Sequence, residues 1–408
     1  MVRMRNFLKR INVTVVLLVL ISLFIGFQAG HRDYTLKWQN FKPSVSFSGQ
    51  EPPSDTKIDF TLFWQTWDLL NKEYVDKKAL DPQKMYYGAI QGMVAAVGDP
   101  YTVFLPPTSQ QTVKEELGGS FEGVGMELGY DKDNRMTVIA PLQGTPAEKA
   151  GIKAGDLIVK INNKDSSTIS LPDAVNMIRG PKGTSVSLEI YHEGDKNVRD
   201  LTLERDTIIV KSVQFFAKKT PSGKNIAYIQ ISRVGANTDA EWNDAVSQAL
   251  ASAPQGVVLD LRNNPGGYLD DAVYIGSEFI DSGDIVMQED GNGNRQDYKV
   301  NRVGKLLNIP MVVIVNKGSA SASEIVSGAI QDHKRGQLVG DQSFGKGTVQ
   351  EAMDLPGGTG LHITTAKWLT PNARWIHHIG LTPDIKVAAG DDPTKDPQLD
   401  AALKALDK

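Results

Sequence analysis

Cysteine is absent from the 408 residues, which excludes disulfides, thiol catalysis and thiolate metal sites together. The compartment stays open, because an oxidising environment permits disulfides without requiring them. Histidine is scarce, with six residues, so imidazole bases and ligands have few sources. Neither sign of charge dominates: the formal net charge of −4 gives no whole-chain attraction for nucleic acid. Repeats of solenoid length and low-complexity tracts are also missing. What is present, 40% hydrophobic and 23% charged residues, has the balance of a globular protein. The length suits about two or three domains, each able to bury a core.

Residues 11–30, "INVTVVLLVLISLFIGFQAG", form the one long uncharged run, and Arg3, Arg5, Lys9 and Arg10 precede it. As a helix it reaches about 30 Å, enough to cross a bilayer. The basic flank then stays cytoplasmic and the remainder is exported. Residues 1–30 are therefore read as a cytoplasmic flank followed by a transmembrane anchor or a signal segment. No Ala-x-Ala pattern closes the run near Gln28, which favours the anchor.

The rest divides by pattern. Residues 31–57, rich in proline, serine and glycine, read as a linker. In residues 58–117 apolar positions recur at helical spacing, as in "FWQTWDLLNKEYV" and "MYYGAIQGMVAAV", predicting two or more helices with apolar packing faces before turn residues in "GDPYTVFLPP". Residues 118–206 hold alternating segments such as "VGMELGY" and "VSLEIY" and two short helix patterns, which predict a compact strand-rich domain. In residues 207–390 short buried-strand runs alternate with helices, predicting an α/β layer with its ligand site at the carboxyl ends of the strands. Residues 391–408 form a polar tail containing one short helix pattern.

Two strand ends carry chemistry. "GVVLDL" opens into "RNNPGGYL", a sharp turn with bare backbone N–H groups at Gly266 and Gly267. "MVVIV" opens into "NKGSASASE" and then a helix, whose first N–H groups and positive dipole end stabilise anions. Ser321 would lie beside such donors. Serines also cap helices, so Ser319, Ser321 or Ser323 could each be an N-cap and nothing more. A nucleophile needs a base, and no histidine offers a motif: His333 lies about 18 Å down the helix from Ser321, and the adjacent His377 and His378 would face opposite ways in a strand.

Lys346 is the better candidate. It sits between Gly345 and Gly347 in "FGKGTVQ", where neighbouring backbone can approach closely. To act as a base it must be neutral, so desolvation must bring its pKa from about 10.4 toward about 7 to 8, at a cost of about 4 kcal/mol. Gln350, four residues on, would share its face of a strand and hold the amine. Rival readings are weak. Residues 340–346 begin like a P-loop, yet Gly347 stands where the magnesium-binding hydroxyl belongs. "SFGK" matches Ser-x-x-Lys, yet that motif needs a helical turn, which the glycines oppose. A plain surface lysine in a glycine turn remains the bland alternative.

Taken together, "YVD" at Tyr74, "GAIQGM" at Gly88, "GDPYTVFL" at Gly98, "DLRNNPGG" at Asp260, "NKGSASASEI" at Asn316, "FGKGTVQ" at Phe344 and "TPDIKV" at Thr382 resemble the carboxyl-terminal processing peptidases, or tail-specific proteases. The resemblance runs from about residue 60 to residue 387. It implies Ser321 as nucleophile, Lys346 as general base 25 residues later, Gln350 as the residue orienting the lysine, and an oxyanion hole from the N–H groups of Ala322 and Gly266 or Gly267. It implies a multidomain fold: helical N-terminal region, PDZ domain, and a protease core similar to crotonase and Clp-type proteases. Self-association as a homodimer through the helices between Phe60 and Val97 is implied in the same way. One departure stands out, because Ala373 in "LTPNARWIHHIG" occupies a position where such enzymes carry glycine.

The middle domain looks like a PDZ module, with "FEGVGMEL" as carboxylate-binding loop and "TPAEKAGIKAGDLIVKIN" as central signature. The N–H groups around Gly123, Val124, Gly125 and Met126 could form a nest for a terminal carboxylate, the peptide adding as a strand. An ordinary glycine turn is the alternative. Arg179 is a candidate for coupling peptide capture to the active site, or a solvated loop charge. These readings lead to an extracytoplasmic, membrane-tethered serine endopeptidase that needs neither metal nor nucleotide cofactor, acts on proteins with free, apolar C-terminal tails, and does not bind nucleic acid. The alternatives are a non-catalytic PDZ scaffold at the membrane surface, or a signalling protease that awaits a partner.

Overall fold

The computed structural model describes residues 34–39, 42–47, 58–390, 392 and 394–407, and the chain divides into two compact units, residues 1–85 and 86–408. In the first, strands Tyr34–Gln39 and Lys42–Phe47 pair antiparallel, inside the stretch that reads as a linker. Helix Thr61–Glu73 follows, as its apolar spacing predicts. Among the described residues no helix is long and apolar enough to cross a membrane; the apolar run at residues 11–30 lies outside them.

Within the second unit, the strand-rich domain is an antiparallel sheet in the order Arg199–Glu204, Ser185–Tyr191, Leu157–Ile161, Met136–Pro141, Met126–Tyr130. Its alternation is that of a sheet with one buried face: Val186, Leu188 and Ile190 are buried, and their neighbours are not. Helix Leu171–Ile178 starts where the Ser170 hydroxyl accepts the Asp173 N–H at 3.3 Å. Ala174 and Ile178 join the domain's core.

The α/β layer is a six-stranded sheet in the order Val213–Lys219, Asn225–Ile231, Gly256–Asp260, Met311–Val315, Gln337–Gly340, Ile385–Lys386. All its pairings are parallel except the first. Every residue of Gly256–Asp260 and Met311–Val315 is buried, which is why both read as continuous apolar runs. Each buried valine or isoleucine contributes about 1.5–3 kcal/mol of transfer free energy. Helices Thr238–Ala251, Leu269–Gly276 and Ala322–Asp332 supply buried apolar side chains to that core. A second, antiparallel sheet is not visible in the sequence pattern: Arg295–Lys299, Asp284–Asp290, Thr359–Leu369 and Thr348–Leu355 in order, with Val103–Leu105 also paired to Thr359–Leu369. The "VFL" of the turn-rich segment is thus a strand completed some 255 residues later in the chain, since Leu105 pairs with Gly360.

The carboxyl end of Gly256–Asp260 is fixed by charge. Buried Asp260 accepts from Tyr228 Oη at 2.6 Å and from Arg262 N at 2.9 Å and Nε at 3.0 Å, and Arg262 continues to Asp396 at 2.8 Å. The turn holding Gly266 and Gly267 therefore departs from a rigid base.

Candidate active site

Four serines lie between residues 319 and 327, and their hydroxyls are used differently. Ser319 donates to Leu261 O (2.8 Å), Ser323 to Asn264 O (3.0 Å) and Ser327 to Ser323 O (2.7 Å); all three are fully buried. The Ser321 hydroxyl donates to no acceptor among the described residues, and its side chain lines an open cleft of about 340 Å³. Its backbone, at φ 53° and ψ −114°, is in a region that costs a non-glycine residue about 1–3 kcal/mol. The helix beginning at Ala322 and the loop from Asn316 hold it there.

Buried Glu324 ties that serine to the lysine loop. Its carboxylate accepts Ser321 N (2.9 Å), Ser343 Oγ (2.6 Å), Gly345 N (2.6 Å) and Lys346 N (2.9 Å). Burial raises its pKa above the usual glutamate value, and these hydrogen bonds oppose the rise without cancelling it. Every contact is a donor, so the group is held as a carboxylate. The spacing Ser321-x-x-Glu324 is that of a capping box, which is the sequence signal that could have marked Glu324.

Gly266 packs against the serine: a Cβ there would meet Ser321 Cβ at 2.8 Å and Ala322 N at 2.9 Å, and its φ is +100°. The Gly266 N–H is donated to Asn264 Oδ1 at 2.9 Å. The N–H groups of Gly267 and Ala322 have no acceptor among the described residues. Asn264, also missed in the sequence, is fully buried and holds Ile231 O through Nδ2 at 3.0 Å, fixing the turn from below.

Lys346 lines the same cleft. Its Nζ makes no hydrogen bond among the described residues and lies 5.0 Å from the centroid of the Tyr101 ring. Burial pulls its pKa down, opposed by the charges of Asp99 and Glu324. Gln350 lines the cleft too, but not as the strand argument predicts. A bulge between Val349 and Gln350 interrupts the alternation, and its Nε2 donates to Thr348 Oγ1 (2.9 Å) and Thr364 Oγ1 (3.1 Å) instead of meeting the amine through hydrogen bonding. Nor does any hydrogen bond join Ser321 to Lys346 in this arrangement.

Residues 225–387 match the family model described as peptidase family S41, residues 137–191 a PDZ domain, and residues 24–108 the N-terminal domain of the activating protease CtpB. The carboxy-terminal processing protease CtpA of Bacillus subtilis is 38% identical over 357 residues, covering 87% of this chain and 74% of that protein. The chain belongs to peptidase family S41, the carboxyl-terminal processing proteases. A Synechocystis carboxyl-terminal-processing protease is 37% identical over 80% of this chain and 76% of its own length. The solved photosystem II D1 C-terminal processing protease has a TM-score of 0.50 at 31% identity, with 85% of this chain and 97% of that one covered. This processing protease is accordingly a serine-type peptidase, and the scaffold alternative falls.

The PDZ domain of the processing protease has its own groove, about 270 Å³, lined by Phe121, Val124, Met126, Leu128, Val175 and Ile178 among others. The N–H groups of Val124 and Gly125 donate to no acceptor among the described residues. Gly125 adopts φ +76°, and a Cβ there would lie 2.5 Å from Thr145 Cβ, so this turn admits only glycine. Gly123 ends the strand before it. Arg179 is not a solvated loop charge. Its guanidinium lies 4.6 Å from the Phe121 ring centroid and pairs with Glu115 at 3.1 Å. Glu115 belongs to helix Pro107–Gly118, whose Glu116 and Leu117 line the Ser321 cleft.

Proposed function

We propose that this processing protease cleaves proteins with free, apolar C-terminal tails, using Ser321 as nucleophile and Lys346 as general base. The observation that carries the reading is the pairing, in one cleft, of a serine hydroxyl and a desolvated amine that have no hydrogen-bond acceptor among the described residues. In acylation Ser321 Oγ bonds to the scissile carbonyl carbon and its proton passes to Lys346 Nζ. The oxyanion is met by the Ala322 and Gly267 N–H groups, Gly266 being spent on Asn264. Collapse breaks the C–N bond, the leaving amine takes the proton from Lys346, and water then hydrolyses the acyl-enzyme with Lys346 again as base. Gln350, with its amide NH₂ anchored by two threonines, keeps Oε1 as an acceptor to orient the amine.

The apolar wall of the PDZ groove and the unused N–H groups of Val124 and Gly125 suit an apolar tail ending in a carboxylate. Arg179 then links tail capture to the helix bordering the catalytic cleft. The basic flank and apolar run of residues 1–30 support a membrane-anchored enzyme acting outside the cytoplasm. Exposed Leu62, Trp64 and Leu69 on helix Thr61–Glu73 offer the apolar surface a homodimer needs. Ser321→Ala and Lys346→Ala should each abolish cleavage of an unstructured protein bearing a free apolar tail, with unchanged circular dichroism. Normal turnover by either variant refutes the assignment.

A further inference from the structure

The loop carrying Lys346 is gripped by Trp368 of strand Thr359–Leu369, which lines the Ser321 cleft, and by the segment after it that departs from the family pattern. Trp368 Nε1 donates to Lys346 O at 2.8 Å, and Trp375 Nε1 donates to Gly347 O at 2.9 Å. The Gly347 N–H is donated to His377 Nδ1 at 3.3 Å, and His378 N donates to Gly345 O at 2.9 Å. There is no slack in this grip. A Cβ on Gly347 would lie 2.9 Å from His377 N and 3.0 Å from Trp375 Nε1. The imidazole of His377 is stacked on Trp375, with centroids 5.2 Å apart and planes at 15°. Its closest ring is that of His378, with centroids 3.8 Å apart, and Tyr101, the same ring that Lys346 Nζ approaches, lies at 6.0 Å.

An imidazole nitrogen that accepts a hydrogen bond carries no proton, so His377 is neutral here, with its hydrogen on Nε2. Protonation would set a new N–H against the Gly347 N–H, donor against donor. It would also bring a positive charge beside the Tyr101 ring that the Lys346 amine approaches. We propose that His377 is a positioning residue for the base, its neutral imidazole holding the Gly347 N–H and its protonation releasing the Lys346 loop, so that the peptidase switches off in acid. The titratable and charged groups around it are Asp99 and Tyr101 from the turn before Val103–Leu105, adjacent His378, Lys346 itself, and Lys367, which lies 5.8 Å from the Trp375 ring. Burial and the charge of His378 lower the His377 pKa from its usual value, against Asp99, so the switch falls on the acid side of that value. The inference rests on Lys346 being the base.

The test is kcat and kcat/KM of the full chain from about pH 5 to about pH 9, on an internally quenched peptide with an apolar tail and a free carboxylate. The wild type should lose activity with a logarithmic slope of one below the Lys346 pKa, steepening to two below that of His377. In His377→Asn the amide oxygen takes the place of Nδ1 and does not titrate. Its neutral-pH rate should stay within about twofold of wild type, and its slope should remain one. His377→Phe keeps the stacking and loses the acceptor, so kcat should fall about tenfold with KM unchanged, which corresponds to about 1.4 kcal/mol. His362, which lines the same cleft, is the rival titrating group, and His362→Gln should retain the second step. A slope of two in His377→Asn, a slope of one in the wild type, or loss of the second step in His362→Gln overturns the proposal. If His377→Phe fails to fold, the asparagine variant decides alone. Turnover by Lys346→Ala would instead refute the reading of the base, so the two failures are distinguishable.

Discussion

Replacing Glu324 by glutamine tests whether one buried carboxylate aligns both halves of the site. One carboxylate oxygen accepts Ser321 N and Lys346 N, and the other accepts Ser343 Oγ and Gly345 N. A glutamine must present its NH₂ to one of these pairs. Facing Ser321 N and Lys346 N it would strand two buried N–H groups; facing Ser343 and Gly345 it strands one, because the Ser343 hydroxyl, which already accepts Leu381 N at 2.6 Å, can accept again and turn its own proton away. The second orientation wins. One orphaned N–H costs about 1–3 kcal/mol, and loss of charge assistance adds about 1 kcal/mol, so destabilisation of roughly 2–4 kcal/mol is expected by urea unfolding. Because the Glu324 charge raises the Lys346 pKa, its removal makes the amine easier to deprotonate. The acid limb of kcat/KM should move to lower pH, with alkaline activity largely kept. Glu324→Ala, which frees all four donors, should lose activity at every pH. An acid limb that stays in place or moves upward in Glu324→Gln, measured on protein shown to be folded, refutes the argument.

Gly266→Ala forces a Cβ to within 2.8 Å of Ser321 Cβ and of Ala320 O, at a φ of +100°. Displacing the serine and its oxyanion donors by a few tenths of an ångström should lower kcat by about 10²-fold or more, and burst kinetics would locate the loss in acylation. Ala373 holds φ +59° in a turn closed by its N–H to Thr370 O at 2.8 Å. The departure from glycine thus leaves the turn in its left-handed form at an energetic cost. Ala373→Gly should stabilise the protein by about 0.5–1 kcal/mol in chemical denaturation, net of the entropy glycine adds to the unfolded chain.

Much of the site was legible because it lies at punctuation marks in the chain. Continuous apolar runs such as "MVVIV" can be buried on both faces, so their ends predict where backbone donors emerge. Ser321 stands past such an end, Lys346 stands at the mouth of strand Thr348–Leu355, and glycines near them report close approach. Glu324 was legible in principle through capping-box spacing. Its link to the Lys346 loop was not, because that contact joins residues 22 positions apart through a buried side chain. The second sheet escaped because "VFL" is too short to show a period, and its partner strand lies far along the chain.

Local order and chemical type were settled by the amino-acid sequence alone: strands that end in donor-rich turns, a helix start after Ser321, a glycine-flanked lysine, and a PDZ pattern. Those properties depend on near neighbours in the chain, whose side-chain period and backbone freedom can be read directly. The tertiary structure alone decided which serine hydroxyl stays uncommitted, which glycine N–H remains available, that Arg179 is paired, and that Tyr101 and His377 surround the lysine. Each of these depends on which distant groups compete for the same hydrogen bond, and that competition is resolved only when the chain has folded.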